Sequence, residues 1–251
     1  MRAKGQTILW LSPQKILLPK GYMLCTMPRS GSTLLCDLLK QTSVAGAPKS
    51  FFRPESVLKN AETWGLAVQR FQDFSNSYLD AVIRDGSANT GCLGLRVMWD
   101  NMPDILKRLS TLFPQARDDA GRLARGFGPL QFIHLSRSDK VAEAVSLVLA
   151  NQTGLWHRNA DGTELERTNP SAEPAYDRDM IMQAYTSVSN GDAGWRNWFA
   201  ANDMKPLALS YEDLARDPTN VLSKVLSFLD LDPSAALNAV PGSAKLATSM
   251  C

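Results

Sequence analysis

The chain has 251 residues, 44% of them hydrophobic, enough to bury the core of one large domain or of one domain with embellishments. Its 27 basic and 25 acidic residues leave a net charge of +2, without the concentrated basic face that a general nucleic-acid binder needs. Four cysteines (Cys25, Cys36, Cys92, Cys251) and two histidines show no metal-type spacing, which argues against a structural zinc site and fits reduced thiols in a cytoplasmic protein.

Residues 1–20 carry early basic and some apolar residues, but Ser12 to Lys15 interrupt them. That argues against a secretory signal, and the stretch reads as an arm packed on the domain or used in association. No apolar run approaches the ~18 residues of a spanning helix. Tyr22 to Thr26 reads as a strand, Met27 to Ser32 as a small-residue turn, and Thr33 onward as a helix with Leu34, Leu35, Leu38 and Leu39 on its apolar face. A strand, a tight loop and a helix N-terminus make an anion site, because unpaired first-turn amides converge there and the helix dipole adds positive charge. Gly31 permits close approach, Ser30, Ser32 and Thr33 offer hydroxyls, and Arg29 offers a fixed cationic fork. The loop lacks the Lys of GxxxxGK[ST], which weakens a triphosphatase reading.

Val57 to Ile83 reads as mostly helical, and Cys92 to Trp99 as a strand that includes Arg96. Asn101 to Phe113 reads as a helix with Pro103 near its start. Gly121 to Gly128 reads as a basic loop, and Leu130 to Leu135 as a buried strand. Ser138 or Asp139 caps a helix to about Gln152, with Val141, Val145, Val148 and Leu149 on its apolar face. Residues 158–175 are polar and read as a mobile loop, the length of a lid. Tyr176 to Ala200 reads as a helix weakened at Gly191 and Gly194, and Lys205 to Ser210 as a further strand. Asp217 caps a last helix with Pro218 at its first position. Residues 234–251 read as a tail ordered only by a partner chain or a ligand. Four parallel-type strands alternating with helices predict an α/β fold, a parallel central sheet flanked by helices, in one domain over 1–251.

PRSGSTLL after a strand resembles the 5′-phosphosulfate loop of sulfotransferases, specifically the bacterial carbohydrate branch that includes trehalose-modifying, nodulation and lipopolysaccharide enzymes. VAGAPKSFFRPES is similar to the segment after the first helix in that branch, and the likeness continues through CLGLRVMW, SRSDKVAEAVS, QTGLWH and YEDL…DP to about Asp232. The resemblance implies a P-loop-nucleotide-hydrolase-like sulfotransferase fold and the donor 3′-phosphoadenosine 5′-phosphosulfate, with no metal. It implies a carbohydrate or glycolipid acceptor, no nucleic acid partner, and a possible homodimer.

On the family pattern, Arg29 and Ser30, Gly31, Ser32 and Thr33 hold the 5′ end and stabilise the leaving group, as fixed donors do where charge accumulates. Arg137 forks onto the 3′-phosphate and Ser146 adds a hydrogen bond. Ser50, Phe52, Arg96, Trp156 and His157 fall on the acceptor side. Arg96 reads equally as a structural ion-pair residue, and Trp156 as a core or interface aromatic. The trehalose-modifying relatives carry a Glu before the Phe-Phe pair as general base, whereas this chain has Ser50 there. Glu55, the nearest carboxylate, becomes the candidate base, ahead of His157 and of His134, the other imidazole. A P-loop kinase and a non-catalytic nucleotide-binding relative are the alternative readings.

Overall fold

The structure is a computed structural model. It describes residues 20–159, 161, 163–168 and 173–244, so nearly all of the expected N-terminal arm lies outside the described residues. In chain order the elements are β1 (Lys20–Thr26), α1 (Ser32–Gln41), α2 (Pro54–Thr63), α3 (Asn76–Ser87), β2 (Cys92–Met98), α4 (Met102–Leu112), α5 (Asp119–Phe127), β3 (Leu130–Ser136), α6 (Lys140–Thr153), β4 (Leu155–Asn159), β5 (Glu164–Arg167), α7 (Arg178–Ala201), β6 (Leu207–Ser210), α8 (Tyr211–Arg216), α9 (Pro218–Phe228) and β7 (Ser243–Ala244).

β2, β1, β3 and β6 lie in that order in one sheet, every neighbour parallel. Successive strand residues point to opposite faces. Met23 and Cys25 therefore join one buried cluster with Leu93, Leu95 and Val97, while Tyr22 and Leu24 join a second with Ile133 and Leu135. α1 and α9 cover the second face through Leu35, Leu38, Leu39, Val221, Leu222 and Val225. α3, α4, α5 and α7 cover the first through Tyr78, Ile105, Phe127 and Trp195. Burial on both faces explains why the strands read as apolar runs rather than alternating ones. β1 is the switch point: the chain goes to β2 on one side and returns to β3 on the other. In such a sheet ligands bind beyond the strand C-terminal ends at that point.

α7 fixes the loop after β1. Trp195 Nε1 donates to the Thr26 carbonyl at 3.1 Å, and its ring stacks on Phe199 with centroids 5.8 Å apart. Gly191 and Gly194 do not weaken this helix: a Cβ there would lie 2.3 Å from Met27 Cε and 2.3 Å from Trp99 Cε2 respectively, so bare backbone is what lets those side chains approach.

Several expectations are corrected. Val57 to Ile83 is two helices: α2 ends by Trp64, and Ser75 accepts the Tyr78 amide to start α3, as a capping residue does. Gly121 to Gly128 is not a loop but most of α5, capped by Asp118 on the Gly121 amide at 2.7 Å and anchored by buried Leu123 and Phe127. The stretch expected as a loop from 158 contains β5, antiparallel to β4. In the expected tail, Ala236 and Ala239 bury against the second cluster, and Ser243–Ala244 pairs with the open side of β4. This chain orders those residues itself, by apolar burial and by a free strand edge. Among the described residues no helix is long and apolar enough to cross a membrane.

Candidate active site

The loop between β1 and α1 is locked from beneath. Thr26 Oγ1 donates to the Leu135 carbonyl at 2.9 Å and pairs with Ser30 Oγ, which reaches the Met27 carbonyl at 2.8 Å. The Ser30 hydroxyl thus faces inward, and the whole residue is buried, so it supports the loop from beneath rather than lining the cavity. Arg29 adopts φ 67 and Gly31 φ 86, two left-handed positions separated by Ser30, which turn the chain sharply into α1. Gly31 is the N-cap of α1 and makes no side-chain cap bond, so the first-turn amides keep their donors. A Cβ on Gly31 would meet Tyr211 Cδ2 at 2.6 Å.

A cavity of about 1110 Å³ opens at the C-terminal ends of the sheet. Arg29, Gly31, Ser32, Thr33, Arg137 and Ser146, all expected at the donor, line it, as do Arg96, Trp156 and His157. Four arginines (Arg29, Arg53, Arg96, Arg137) face two carboxylates (Asp139, Glu166), so the lining is cationic. A smaller cavity of about 580 Å³, beside Leu130 and Lys205 at the strand starts, carries one charged side chain and does not suit a polyanion.

Arg29 Nε donates to Ser146 Oγ at 3.0 Å, and its Nη1 to the Trp156 carbonyl. Burial, with Arg137 nearby, pulls this guanidinium below its ordinary pKa, although Tyr211 acts the other way. Arg137 follows β3 and lies over the Tyr211 ring, 4.7 Å from its centroid. Its Nε is buried without a protein hydrogen-bond partner. Glu212 holds the same turn, accepting the Ser138 amide at 3.1 Å and the Asp139 amide at 3.4 Å. The YEDL stretch therefore positions Arg137 through Tyr211 and Glu212.

On the opposite wall, Arg96 Nε donates to Ser50 Oγ at 2.8 Å and Nη1 to Thr33 Oγ1 at 2.9 Å. Backbone pairing of Lys49 with β2 sets this contact. Thr33 Oγ1 lies 3.1 Å from His157 Nε2, and Glu166 Oε2 lies 3.5 Å from the same nitrogen. Burial, with Arg29, Arg96 and Arg53 around it, pulls the His157 pKa down to about 4, so its imidazole is neutral at pH 7.

Four expected residues stand apart from the cavity, Ser30 beneath the loop and three others. Phe52 is 4% exposed, its ring packed between Phe74 at 5.2 Å and Phe127 at 5.6 Å, so it belongs to the core and cannot touch a ligand. Glu55 projects into solvent from α2, 3.7 Å from Arg53, and does not line the cavity. Ser50 is buried and acts on the cavity only through Arg96. Conversely, Arg53, Glu166 and Tyr211 line the cavity without having been singled out. On α6, Val141 and Val145 also face the cavity, Val141 59% exposed, while Glu143, Ala144 and Val148 take the buried side. Among the described residues no three His, Cys, Asp or Glu side chains gather as a metal site.

A trehalose 2-sulfotransferase of Mycolicibacterium smegmatis is 30% identical over 244 residues, 87% of each chain. Another of that name from Mycobacterium tuberculosis is 26% identical over 245 residues, 86% of each. The family model of the Stf0 sulphotransferases matches residues 21–251, a span that takes in the loop, the arginines and the cavity between them. The chain belongs to the Stf0 sulphotransferase family.

Proposed function

We propose that this protein moves a sulfuryl group from 3′-phosphoadenosine 5′-phosphosulfate to a hydroxyl of a carbohydrate or glycolipid. The observation that carries the donor assignment is Arg137. Its guanidinium lies over the Tyr211 ring, and the residue lines the same cationic cavity as the first-turn amides of α1. A donor with phosphate at both the 3′ and 5′ positions supplies acceptors for both groups. The amides of residues 31–33 and Arg29 would hold the 5′ end, and Arg137 the 3′-phosphate. Ser146 bonds Arg29 and would fix that fork as well as the ligand. In-line transfer places developing negative charge on the leaving phosphate, which fixed donors stabilise. The names of the two relatives favour a sugar hydroxyl as acceptor. Ser50, bonded to Arg96, leaves no carboxylate at its position to act on that sugar. Cys25, Cys36 and Cys92 are free and buried, which suits a reducing, cytoplasmic setting.

Calorimetric titration with adenosine 3′,5′-bisphosphate, against ATP with magnesium, tests the reading. Tight bisphosphate binding, indifferent to magnesium and weakened in Arg137→Ala, is expected. Preference for magnesium-ATP would transfer the site to a kinase-like reaction.

A further inference from the structure

We propose that His157 Nε2 takes the proton from the acceptor hydroxyl, and that Glu166 Oε2 holds the imidazolium that results. The proposal rests on the sulfotransferase reading and names the base which that reading needs. His157 and Glu166 are directly opposed across β4 and β5, and the strand register shifts on both sides of His157. Irregular pairing of this kind re-aims a side chain, and here it turns the imidazole into the cavity.

The local hydrogen bonds set Nε2 as an acceptor. Arg96 can only donate, so Thr33 Oγ1 accepts at 2.9 Å and its own hydrogen is available to Nε2 at 3.1 Å. A proton acceptor therefore stands beside the first-turn hydroxyl of the anion loop. Of the other candidates, Asp139 spends its carboxylate capping α6 on the Ala142 amide at 2.8 Å, and Glu55 faces solvent. His134 lies outside the cavity, 3.0 Å from Asp192.

The step balances. The acceptor oxygen forms a bond to sulfur while the bond from sulfur to the phosphate oxygen breaks. That electron pair leaves with adenosine 3′,5′-bisphosphate. The hydroxyl proton moves to Nε2, is met by Glu166, and passes to solvent.

The charged groups facing His157 are Arg29 from the loop, Arg53 before α2, Arg96 from β2 and Glu166 from β5. Three of the four are cations, and with burial they hold the free imidazole neutral. Nucleotide phosphates offset those cations, so the affinity of Nε2 for a proton rises when the donor is in place. The base is thus strengthened by the co-substrate it serves.

The chain has two histidines, so two imidazole signals can be followed by NMR as pH is changed. With saturating adenosine 3′,5′-bisphosphate, the His157 midpoint is expected to rise while that of His134 stays; Glu166→Gln is expected to shrink the rise. Nucleotide bound by calorimetry with an unmoved His157 would overturn this proposal alone, whereas absence of nucleotide binding would remove the donor reading itself. Turnover of the sulfuryl donor, with water or trehalose as the hydroxyl, gives the second readout. His157→Gln is expected to slow it by roughly 100-fold or more and to abolish its acid limb, with donor affinity kept within about twofold. An unchanged pH profile in His157→Gln, or loss of turnover in Glu166→Gln alone, would refute the assignment to His157.

Discussion

Arg137→Lys should separate the two ends of the nucleotide. The change keeps the positive charge and removes the planar fork that lies 4.7 Å from the Tyr211 centroid. Stacking of a guanidinium on a ring contributes about 0.5–1 kcal/mol at a half-exposed site. A phosphate held by two parallel donors would lose one of them to the Lys, and a charge-assisted hydrogen bond is worth roughly 1.5–3 kcal/mol. Together the loss comes to about 2–4 kcal/mol, or roughly 30- to 1,000-fold in Kd for adenosine 3′,5′-bisphosphate. Adenosine 5′-monophosphate, which has nothing at the 3′ position, should weaken by less than about threefold in the same variant. The assay is a pair of calorimetric titrations on each protein. Equal losses for the two ligands would refute the placing of Arg137 at the 3′-phosphate, because a collapsed cavity would weaken both alike.

Three more outcomes follow from the same geometry. Gly31→Ala places a side chain at φ 86 and 2.6 Å from Tyr211 Cδ2; the left-handed cost alone is about 1–2 kcal/mol, so Tm should fall by roughly 2–8 °C in thermal melts, with weaker nucleotide binding. Arg96→Ala removes one of the cations holding His157 protonation down, so the NMR midpoint of that imidazole should move up; a fall would contradict the charge assignment. Glu143 is fully buried, and burial raises its pKa from 4.5 to about 7 against the opposing Lys140, whose Nζ lies 2.9 Å away. With the folded value above the unfolded one, stability is fully present below about pH 4.5 and is lost as pH rises through about 7. The loss is on the order of 3 kcal/mol, so Glu143→Gln should match the parent in denaturant melts near pH 4.5 and exceed it at pH 8; a difference that does not change with pH would contradict the burial argument.

The sheet was legible in the sequence because each central strand is buried on both faces and so reads as an apolar run: Tyr22 to Thr26 and Leu130 to Leu135 are the examples. The loop was legible because small residues, Gly31 and Arg29 stand together between a strand and a helix. The hairpin was not. β5 reads Glu-Leu-Glu-Arg, pairs with β4, and is too short and too charged to show a period, so Glu166 went unnoticed. Arg53 and Tyr211 were missed for a different reason: they reach the cavity from the starts of helices, where sequence spacing says nothing of direction. Phe52 erred the other way. Its neighbours in sequence, Ser50 and Arg53, point toward the cavity wall, but its own ring turns into the aromatic core with Phe74, Tyr78 and Phe127. On α6, Val141 and Val145 carry the apolar signal yet face the cavity, and a carboxylate, Glu143, takes the buried side, held by Lys140.

The most direct measurement is transfer of labelled sulfate from 3′-phosphoadenosine 5′-[³⁵S]phosphosulfate to trehalose and a panel of other carbohydrates and glycolipids, followed by separation of sugar from nucleotide. The account predicts a labelled, sulfated sugar from the parent protein and little from Arg29→Ala, with adenosine 3′,5′-bisphosphate released in equal amount. Donor that is bound but left unconsumed with every acceptor would contradict it, and would make this chain a nucleotide-binding protein rather than a transferase.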